Sequence, residues 1–551
     1  MSHSETNSFR RIGRREFVKV CAGSMAAAAF GCGRRDDYAR SKGSTITVLY
    51  CCDEWLLGPS GDDPPKFLVF LPLVTRNPKG KMEGRLAQSW EHSSDYRTWT
   101  IQLRKDIRWH DGVPVTAHDV KFTMDLYMHP AVLMTPPGAF TLTVLDDHRY
   151  TIAYHRRATN TGKLCGSPME DDYTAYFPKH RLEKLDPKDF NSWEFWTHPV
   201  GNGPYRYVRH MSKTMMELEA NPDYYRGKPK IERVVLKFGD PSATGAITEL
   251  LSGNVDAVPR VNRMELLRLK GDPRFRLYDA AMDQTSEGDG VILILWNERE
   301  LPFRDSNVRR ALTLAIDRRE LHQVLNLPES TPIFDVIFTE RQFQRCELPE
   351  PLPCDPEQAK RLLDEAGWRD QRGIGLRERD GSPFKFIALV NPNLGGDRAA
   401  VYIQAALRRV GVQMDITVLE WEALFRRVMS GEFEAAIPPV MPLDVGSRVL
   451  FGERDSSDAA VFVEITHGSP IGYSNPKVTV LLKELRNTFN PDEQDRIYRE
   501  LWPIFQADSP VTFLYPEEVT TVAHRRIRGL STPWRADPVW HMDESWLAKE
   551  S

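Results

Sequence analysis

The chain has 551 residues, more than one hydrophobic core usually holds, so we expect two or three globular units. With 41% hydrophobic and 27% charged residues, the composition is that of a folded protein and argues against intrinsic disorder. The formal net charge of -4 provides no general basic field, which argues against nucleic acid as a partner.

Residues 1–31 resemble an export signal rather than part of the fold. Arg14 and Arg15 begin a twin-arginine-type motif, and a short alanine-rich apolar run follows over residues 20–30. This run is too short to span a bilayer, which takes about 20 apolar residues. Cys32 follows Ala-Phe-Gly, which resembles a lipobox, so we expect a lipid to be attached to Cys32. Plain cleavage near the alanines is the alternative.

Residues 32–43 are small and charged and are predicted to form a tether that holds the folded body away from the membrane. Alternating patterns over 44–50 and 98–104 predict strands in the body. Between residues 383 and 430 the pattern is strand, helix, strand and helix, with a glycine stopping each helix. This order predicts a parallel, right-handed crossover, and ligands bind at the carboxyl ends of such strands.

Two cysteines of the body flank a short proline-rich loop. A disulfide between Cys346 and Cys354 would close this loop in an oxidising compartment, and two free thiols are the alternative. No C-x-x-C pair occurs in the chain, so the sequence predicts neither a metal site nor a cofactor.

A metal-dependent hydrolase is the alternative of a different class, because His110-Asp111 and His118-Asp119 carry side chains that suit zinc or iron. The two histidines are eight residues apart across a proline, so they do not share a helix face. Asp111 followed by glycine is typical of a turn, and Asp119 is placed to cap a helix that Thr116 opens. The sequence therefore predicts a protein that is not an enzyme.

Several ordered blocks of the body resemble the large solute-binding proteins of peptide and nickel importers, extracellular family 5. The most specific blocks are tryptophan-containing and lie in the first quarter of the chain. In chain order the blocks are Arg85–Glu91, Thr98–Lys105, Trp109–Val120, Gly203–Tyr205, Asn221–Tyr225, Pro302–Phe303, Val308–Ala311, Ala315–Arg318 and Gly472–Pro476.

The resemblance implies an α/β, two-lobe fold like that of periplasmic binding proteins, with a hinge and a first lobe that is discontinuous in sequence. Lobe I would comprise residues 44–289 plus 516–551, with an inserted subdomain at about 76–200, and lobe II residues 290–515. It also implies the extracytoplasmic component of an ABC importer, which closes on a peptide or peptide-like solute and delivers it to permease subunits. A signalling receptor subunit on the same fold is the alternative.

Three ligand-contacting positions follow from the resemblance in lobe II. Trp421 matches a tryptophan that lies along the cleft in peptide-binding members, and a core tryptophan is the alternative. An acid that pairs with the peptide's α-ammonium belongs at Leu443 by register, and Asp444 is one residue out. We assign Met441 and Asp444 to this loop as candidate ligand contacts. Because the acid is displaced, we expect a protein that is not a general binder of free-amine peptides.

The loop after the first strand supplies the remaining candidates. Asp53 and Trp55 lie in a segment that also contacts ligand in the family, and they would provide a charge and a stacking surface. A solvated acidic turn is the alternative for this loop.

Overall fold

The structure is a computed structural model of the chain. It describes residues 44–50, 65–77, 81–132, 135, 137–155, 158–160, 163–165, 168, 174–239, 244–261, 263–269, 271–279, 290–337, 346–392, 395–438, 441–442, 470–516, 520–530 and 542–548. Among these residues, none of the helices combines the length and the apolar character that a membrane span requires.

The strands are numbered in chain order. They are β1 Thr45–Tyr50, β2 Val74–Arg76, β3 Met82–Gly84, β4 Ala87–His92, β5 Thr98–Leu103, β6 Phe140–Asp146, β7 Arg149–Tyr154, β8 Ala158–Asn160, β9 Lys163–Cys165, β10 Tyr205–Met211, β11 Met215–Ala220, β12 Arg233–Phe238, β13 Ala257–Val261, β14 Phe275–Asp279, β15 Gly290–Trp296, β16 Glu378–Arg379, β17 Ser382–Pro383, β18 Lys385–Val390, β19 Gln413–Val418, β20 Ala435–Ile437, β21 Met441–Pro442, β22 Val511–Pro516, β23 Thr520–His524, β24 Ile527–Arg528 and β25 Trp546–Leu547.

Helices alternate with these strands along most of the chain. The α-helices span Lys66–Val69, Ala117–Tyr127, Lys179–Leu182, Thr244–Leu251, Arg263–Leu266, Ser306–Leu314, Arg318–Val324, Pro356–Glu365, Gly396–Arg409, Trp421–Ser430, Pro476–Asn487 and Pro491–Asp508. Short 3-10 helices span Pro187–Ser192, Glu194–Thr197, Leu267–Leu269, Leu301–Arg304 and Met542–Glu544.

The first sheet has the order β10-β11-β12-β1-β13-β23-β14 among the described strands. Strand β1 is parallel to β12 and β13, whereas β23 is antiparallel to both of its neighbours, β13 and β14. One inner strand of this sheet, β23, therefore comes from the carboxyl-terminal part of the chain and follows all strands of the second sheet in sequence.

A smaller antiparallel sheet with the order β4-β5-β7-β6 lies between β3 and β10 in sequence. The helix Ala117–Tyr127 packs against its β6 strand. The predicted capping box of this helix is confirmed, because the backbone N–H of Thr116 donates to the carboxylate of Asp119 at 2.8 Å.

The second sheet has the order β19-β18-β20-β15-β21, and β22 also pairs with β15. The predicted strand–helix–strand–helix pattern between residues 383 and 430 is confirmed, with β18 parallel to β19. Along β15, Val291, Leu293 and Leu295 join one buried cluster, while Ile292 and Ile294 join another. Successive strand residues point to opposite faces, so helices cover this sheet on both sides.

Asp305 caps the helix Ser306–Leu314, which ends before the apolar stripe of the sequence is complete at Ile316. The side chain of Asp317 accepts a hydrogen bond from the N–H of Glu320 at 2.9 Å and so caps a second helix, Arg318–Val324. The apolar stripe in the sequence therefore extends over the first helix and the turn that leads into the second.

Candidate functional site

The carboxyl ends of three parallel strands meet at one edge of the second sheet. Strand β18 is parallel to both β19 and β20, so their ends at Val390, Val418 and Ile437 lie side by side. Strand β15 is antiparallel to β20 and therefore begins at this same edge. We call it the carboxyl edge of the second sheet, and open α/β sheets bind their ligands at such an edge.

The first sheet has a matching carboxyl edge. Strands β1, β12 and β13 end there, and β14 also ends there, because its Asp279 pairs with Thr520 at the start of β23. The chain leaves this edge after Asp279 and enters the second sheet at Gly290. It returns from Pro516 to Thr520 over four peptide steps, which keeps these two residues within about 15 Å of each other. Both crossings thus join the carboxyl edge of one sheet to that of the other.

Trp421 lies at the carboxyl edge of the second sheet, three residues after β19, and opens the helix Trp421–Ser430. Its side chain is 37% exposed, and its ring tilts against that of Phe425 with centroids 5.0 Å apart. The contact leaves part of the indole uncovered at the carboxyl edge of the second sheet. The geometry is that of an accessible aromatic surface and differs from the core tryptophan considered as the alternative.

Asn391 also lies at this edge, and it was not among the predicted site residues. Its backbone N–H donates to the carbonyl of Ile437, and its side-chain amide donates to the carbonyl of Leu419, each at 3.1 Å. The residue is buried and ties together the segments that follow β18, β19 and β20. The sequence signal for such a residue is a polar side chain directly after an apolar strand, since its hydrogen-bonding groups need buried partners.

The remaining predicted contacts are only partly described. The backbone of Met441 pairs with Val291 in β15, which places Met441 at the carboxyl edge where β15 begins. Asp444, Asp53 and Trp55 lie outside the described residues, as do the export and lipidation residues Arg14, Arg15 and Cys32.

The disulfide considered between Cys346 and Cys354 is not formed, and both residues are free thiols in the structure. Cys346 packs against the cluster on one face of the second sheet, and its sulfur lies 3.2 Å from Nη2 of Arg499. Cys354 is exposed directly before Asp355, the residue that caps the helix Pro356–Glu365. Cys346 thus contacts the helix Pro491–Asp508 through Arg499, whereas Cys354 is exposed to solvent.

The residues that suggested a metal-dependent hydrolase have structural partners. Nδ1 of His110 accepts a hydrogen bond from the N–H of Gly201, and Nε2 donates to the carbonyl of Gly203. Burial lowers the pKa of His110 to about 4, so the ring is neutral. The carboxylate of Asp111 pairs with His180 and Arg181, both at 2.9 Å. Within the described residues, no group of three His, Cys, Asp or Glu side chains is arranged to hold a metal ion.

Glu298 is a buried acid at the opposite end of the second sheet from the carboxyl edge. One carboxylate oxygen lies 3.3 Å from Nη1 of Arg309, and the other, Oε1, is buried without a hydrogen-bond partner among the described residues. Burial raises the pKa of Glu298 to about 7, the nearby Asp508 adds to this rise, and Arg309 opposes it.

Replacing Glu298 by glutamine is expected to stabilise the protein above pH 7. The folded-state pKa lies above that of the unfolded chain, so the folded protein loses stability relative to the variant as the pH rises from about 4.5 through about 7. Urea unfolding should show a gain of about 2–3 kcal/mol at pH 8 and little difference at pH 5. The exposed Glu365→Gln serves as control, and a gain that does not depend on pH contradicts this account.

The chain is similar to several known solute-binding proteins. Residues 81–442 match the model of bacterial extracellular solute-binding proteins, family 5 Middle. The oligopeptide-binding protein AppA of Bacillus subtilis is 26% identical over 499 residues, covering 88% of this chain and 87% of the relative. Heme-binding protein A of Haemophilus influenzae is 25% identical over 462 residues, covering 78% of each chain.

Solved structures share the fold. The structure of Bacillus subtilis AppA in complex with a nonapeptide superposes with a TM-score of 0.68 at 22% identity, covering 92% of this chain and 99% of that chain. NikZ from Campylobacter jejuni in complex with Ni(L-His) gives a TM-score of 0.73 at 22% identity, covering 91% and 99%. The predicted α/β, periplasmic-binding-protein-like fold is confirmed. The chain belongs to family 5 of the bacterial extracellular solute-binding proteins.

Proposed function

We propose that this protein is the substrate-binding component of an ABC importer and that it captures a peptide or peptide-like solute between its two lobes. The observation that carries the proposal is that two segments of the chain join the carboxyl edges of the two sheets. The exposed Trp421 lies at the carboxyl edge of the second sheet. The names of several relatives, which include oligopeptide-binding and heme-binding proteins, support a transported solute.

The mechanism that we propose is physical rather than chemical. An extended peptide carries unpaired N–H and C=O groups that strand ends and loops at the two edges can satisfy, with an aromatic surface for a side chain. Rotation of the lobes about the crossings then buries the solute. A ligand that contacts both lobes stabilises the closed state by the contacts that it makes only there.

The proposal is tested by the solute that the protein carries. We expect mass spectrometry of the denatured, exported protein to identify a peptide-like molecule, and its re-addition to raise the melting temperature and to shrink the particle in solution scattering. Recovery of the added solute in chemically altered form would contradict binding without catalysis. A solute that leaves both the melting temperature and the scattering unchanged would contradict closure.

Trp421→Ala is expected to weaken binding of the solute so identified by about 2 kcal/mol, or roughly thirtyfold, because it removes an aromatic contact from the closed cleft. Isothermal titration measures the loss. Trp546→Ala, which removes a similarly exposed indole far from the carboxyl edges, is the matched control. Equal affinities of both variants and the parent would place the ligand elsewhere.

Export and lipidation form a second part of the proposal, supported by the sequence of residues 1–43. Replacing Arg14 and Arg15 together by lysine is expected to leave precursor in the cytoplasm, as cell fractionation would show. Cys32→Ala is expected to release the exported protein from membranes. Normal export of the double variant would exclude a twin-arginine signal, and continued membrane attachment of Cys32→Ala would exclude the lipid.

A further inference from the structure

An exposed tryptophan lies at the end of the first sheet opposite the carboxyl edge. Trp546 in β25 is 42% exposed and pairs with Arg528 in β24. Its ring lies so close to Gly529 that a β-carbon there would come within 2.2 Å of it. The Nζ of Lys230 sits 5.1 Å from the ring centroid, within the range of a cation–π contact. The indole is therefore held in place although it faces solvent.

The surroundings of this indole are basic. Arg528 and Trp546 are directly opposed residues of an antiparallel pair, so their side chains leave the same face of the ribbon. Within the described part of the chain, Lys230 and Arg528 have no carboxylate as an ion-pair partner. The nearest acid on this segment, Glu544, is paired with Arg226 at 2.7 Å. Glu232, the exposed acid two residues after Lys230, is paired with Lys228 at 3.8 Å. Lys230 and Arg528 therefore add positive charge beside the indole, although the whole chain is acidic.

The folded body begins beside this patch. Ser44 donates from Oγ to Glu232 at 2.5 Å, and Glu232 follows Lys230 by two residues. Thr45 accepts at its carbonyl from Arg526, which lies two residues before Arg528. The twelve residues 32–43, the tether in our proposed function, therefore join the body at the edge that carries Trp546.

We propose that Trp546, Lys230 and Arg528 form a surface that lies on the anionic headgroups of the membrane. A tryptophan with an apolar ring and a polar N–H suits the membrane interface, and basic residues near an anionic surface each strengthen binding about fivefold. The short tether brings this surface to the membrane, whereas β1 carries the carboxyl edge about 20 Å away. The cleft then faces away from the bilayer while the receptor waits for solute. This orientation rests on the lipidated tether that belongs to the proposed function. The lipid-binding surface itself does not depend on that tether.

The experiment measures sedimentation with vesicles of phosphatidylcholine, with and without 30% phosphatidylglycerol. The protein is the exported Cys32→Ala chain, so that no lipid anchor contributes, and every variant shares its N-terminus. We expect binding that requires the anionic lipid and is lost in 0.5 M salt. Trp546→Ala should weaken it about tenfold, and Lys230→Glu with Arg528→Glu should weaken it at least 25-fold. Leu301→Ala, which removes an exposed apolar side chain outside the patch, is the control and should bind like the parent.

Three results would overturn the proposal. One is equal binding of the parent to neutral and anionic vesicles. A second is equal binding of the patch variants and the parent to anionic vesicles. A third is such unchanged vesicle binding by patch variants that no longer support uptake of the solute in cells, which would assign the surface to a protein partner such as the permease. The solute affinity of each variant, measured in parallel, separates a failure of this inference from a failure of the proposed function.

Discussion

Replacing Asp335 by alanine is expected to destabilise the protein by about 3–5 kcal/mol, because it leaves a buried arginine without its counterion. Nη2 of Arg318 lies 3.1 Å from Oδ2 of Asp335, and a second contact joins Nη1 to Oδ1. Both side chains are buried. Asp335 also accepts from the N–H of Leu352, so the substitution leaves that backbone donor unpaired as well.

The measurement is the free energy of unfolding in urea at neutral pH. Asp106→Ala is the matched control, because Asp106 pairs with Arg104 at 3.0 Å with both side chains at least one-third exposed. That pair should contribute under about 1 kcal/mol. Replacing Arg318 and Asp335 together by apolar residues should not restore stability, since Arg318 also donates to the carbonyl of Leu352. Full stability of the Asp335→Ala chain would show that the pair is solvated.

Asp256→Ala is expected to cost a similar amount in the first sheet, about 3–5 kcal/mol. Its two carboxylate oxygens accept from Arg526, at 3.0 Å from Nε and 2.9 Å from Nη2, and Oδ2 also accepts from the N–H of Thr47. This fork joins the start of β13 to the segment after β23 and to β1, three parts of the chain that are far apart in sequence.

Asp256→Asn provides a graded comparison, because asparagine keeps one acceptor oxygen for the N–H of Thr47 but loses the charge and replaces the second acceptor by an amide N–H donor. We expect it to lie between the parent and the alanine variant in urea unfolding. Asp125→Ala, which removes an exposed partner of Lys121, should change little. Equal stability of the Asp256→Ala and Asp125→Ala chains would contradict a role of the fork in closing the first sheet.

Most secondary-structure elements could be predicted from local sequence patterns. The helices Gly396–Arg409 and Trp421–Ser430 lie in the predicted strand–helix–strand–helix order, since a glycine follows the apolar stripe of each and Gly411 and Gly431 both adopt positive φ. The cap formed by Thr116 and Asp119 was likewise predictable, because the two residues are three positions apart.

The contacts that close the molecule were not visible in the sequence. The partners Asp256 and Arg526 are 270 residues apart, and no local pattern indicates which acid meets which base. Cys346 and Cys354 are free thiols, and Cys346 contacts Arg499 instead, which the spacing of the two cysteines does not reveal. The role of Asn391 depends on three strand ends that meet at one edge, so it could not be predicted without the topology of the sheet.

The place of β23 between β13 and β14 has a consequence for biosynthesis. Its residues are the 520th to 524th of the chain, so Ala257, which pairs with Val48 on one side, gains its second partner Ala523 only at the end of synthesis. Until then β13 and β14 each present an unpaired edge, the kind of surface from which misassembly starts. The nascent first lobe is therefore incomplete for almost the whole time of synthesis, and a chain that terminates shortly before Thr520 is expected to aggregate rather than to fold as a smaller receptor.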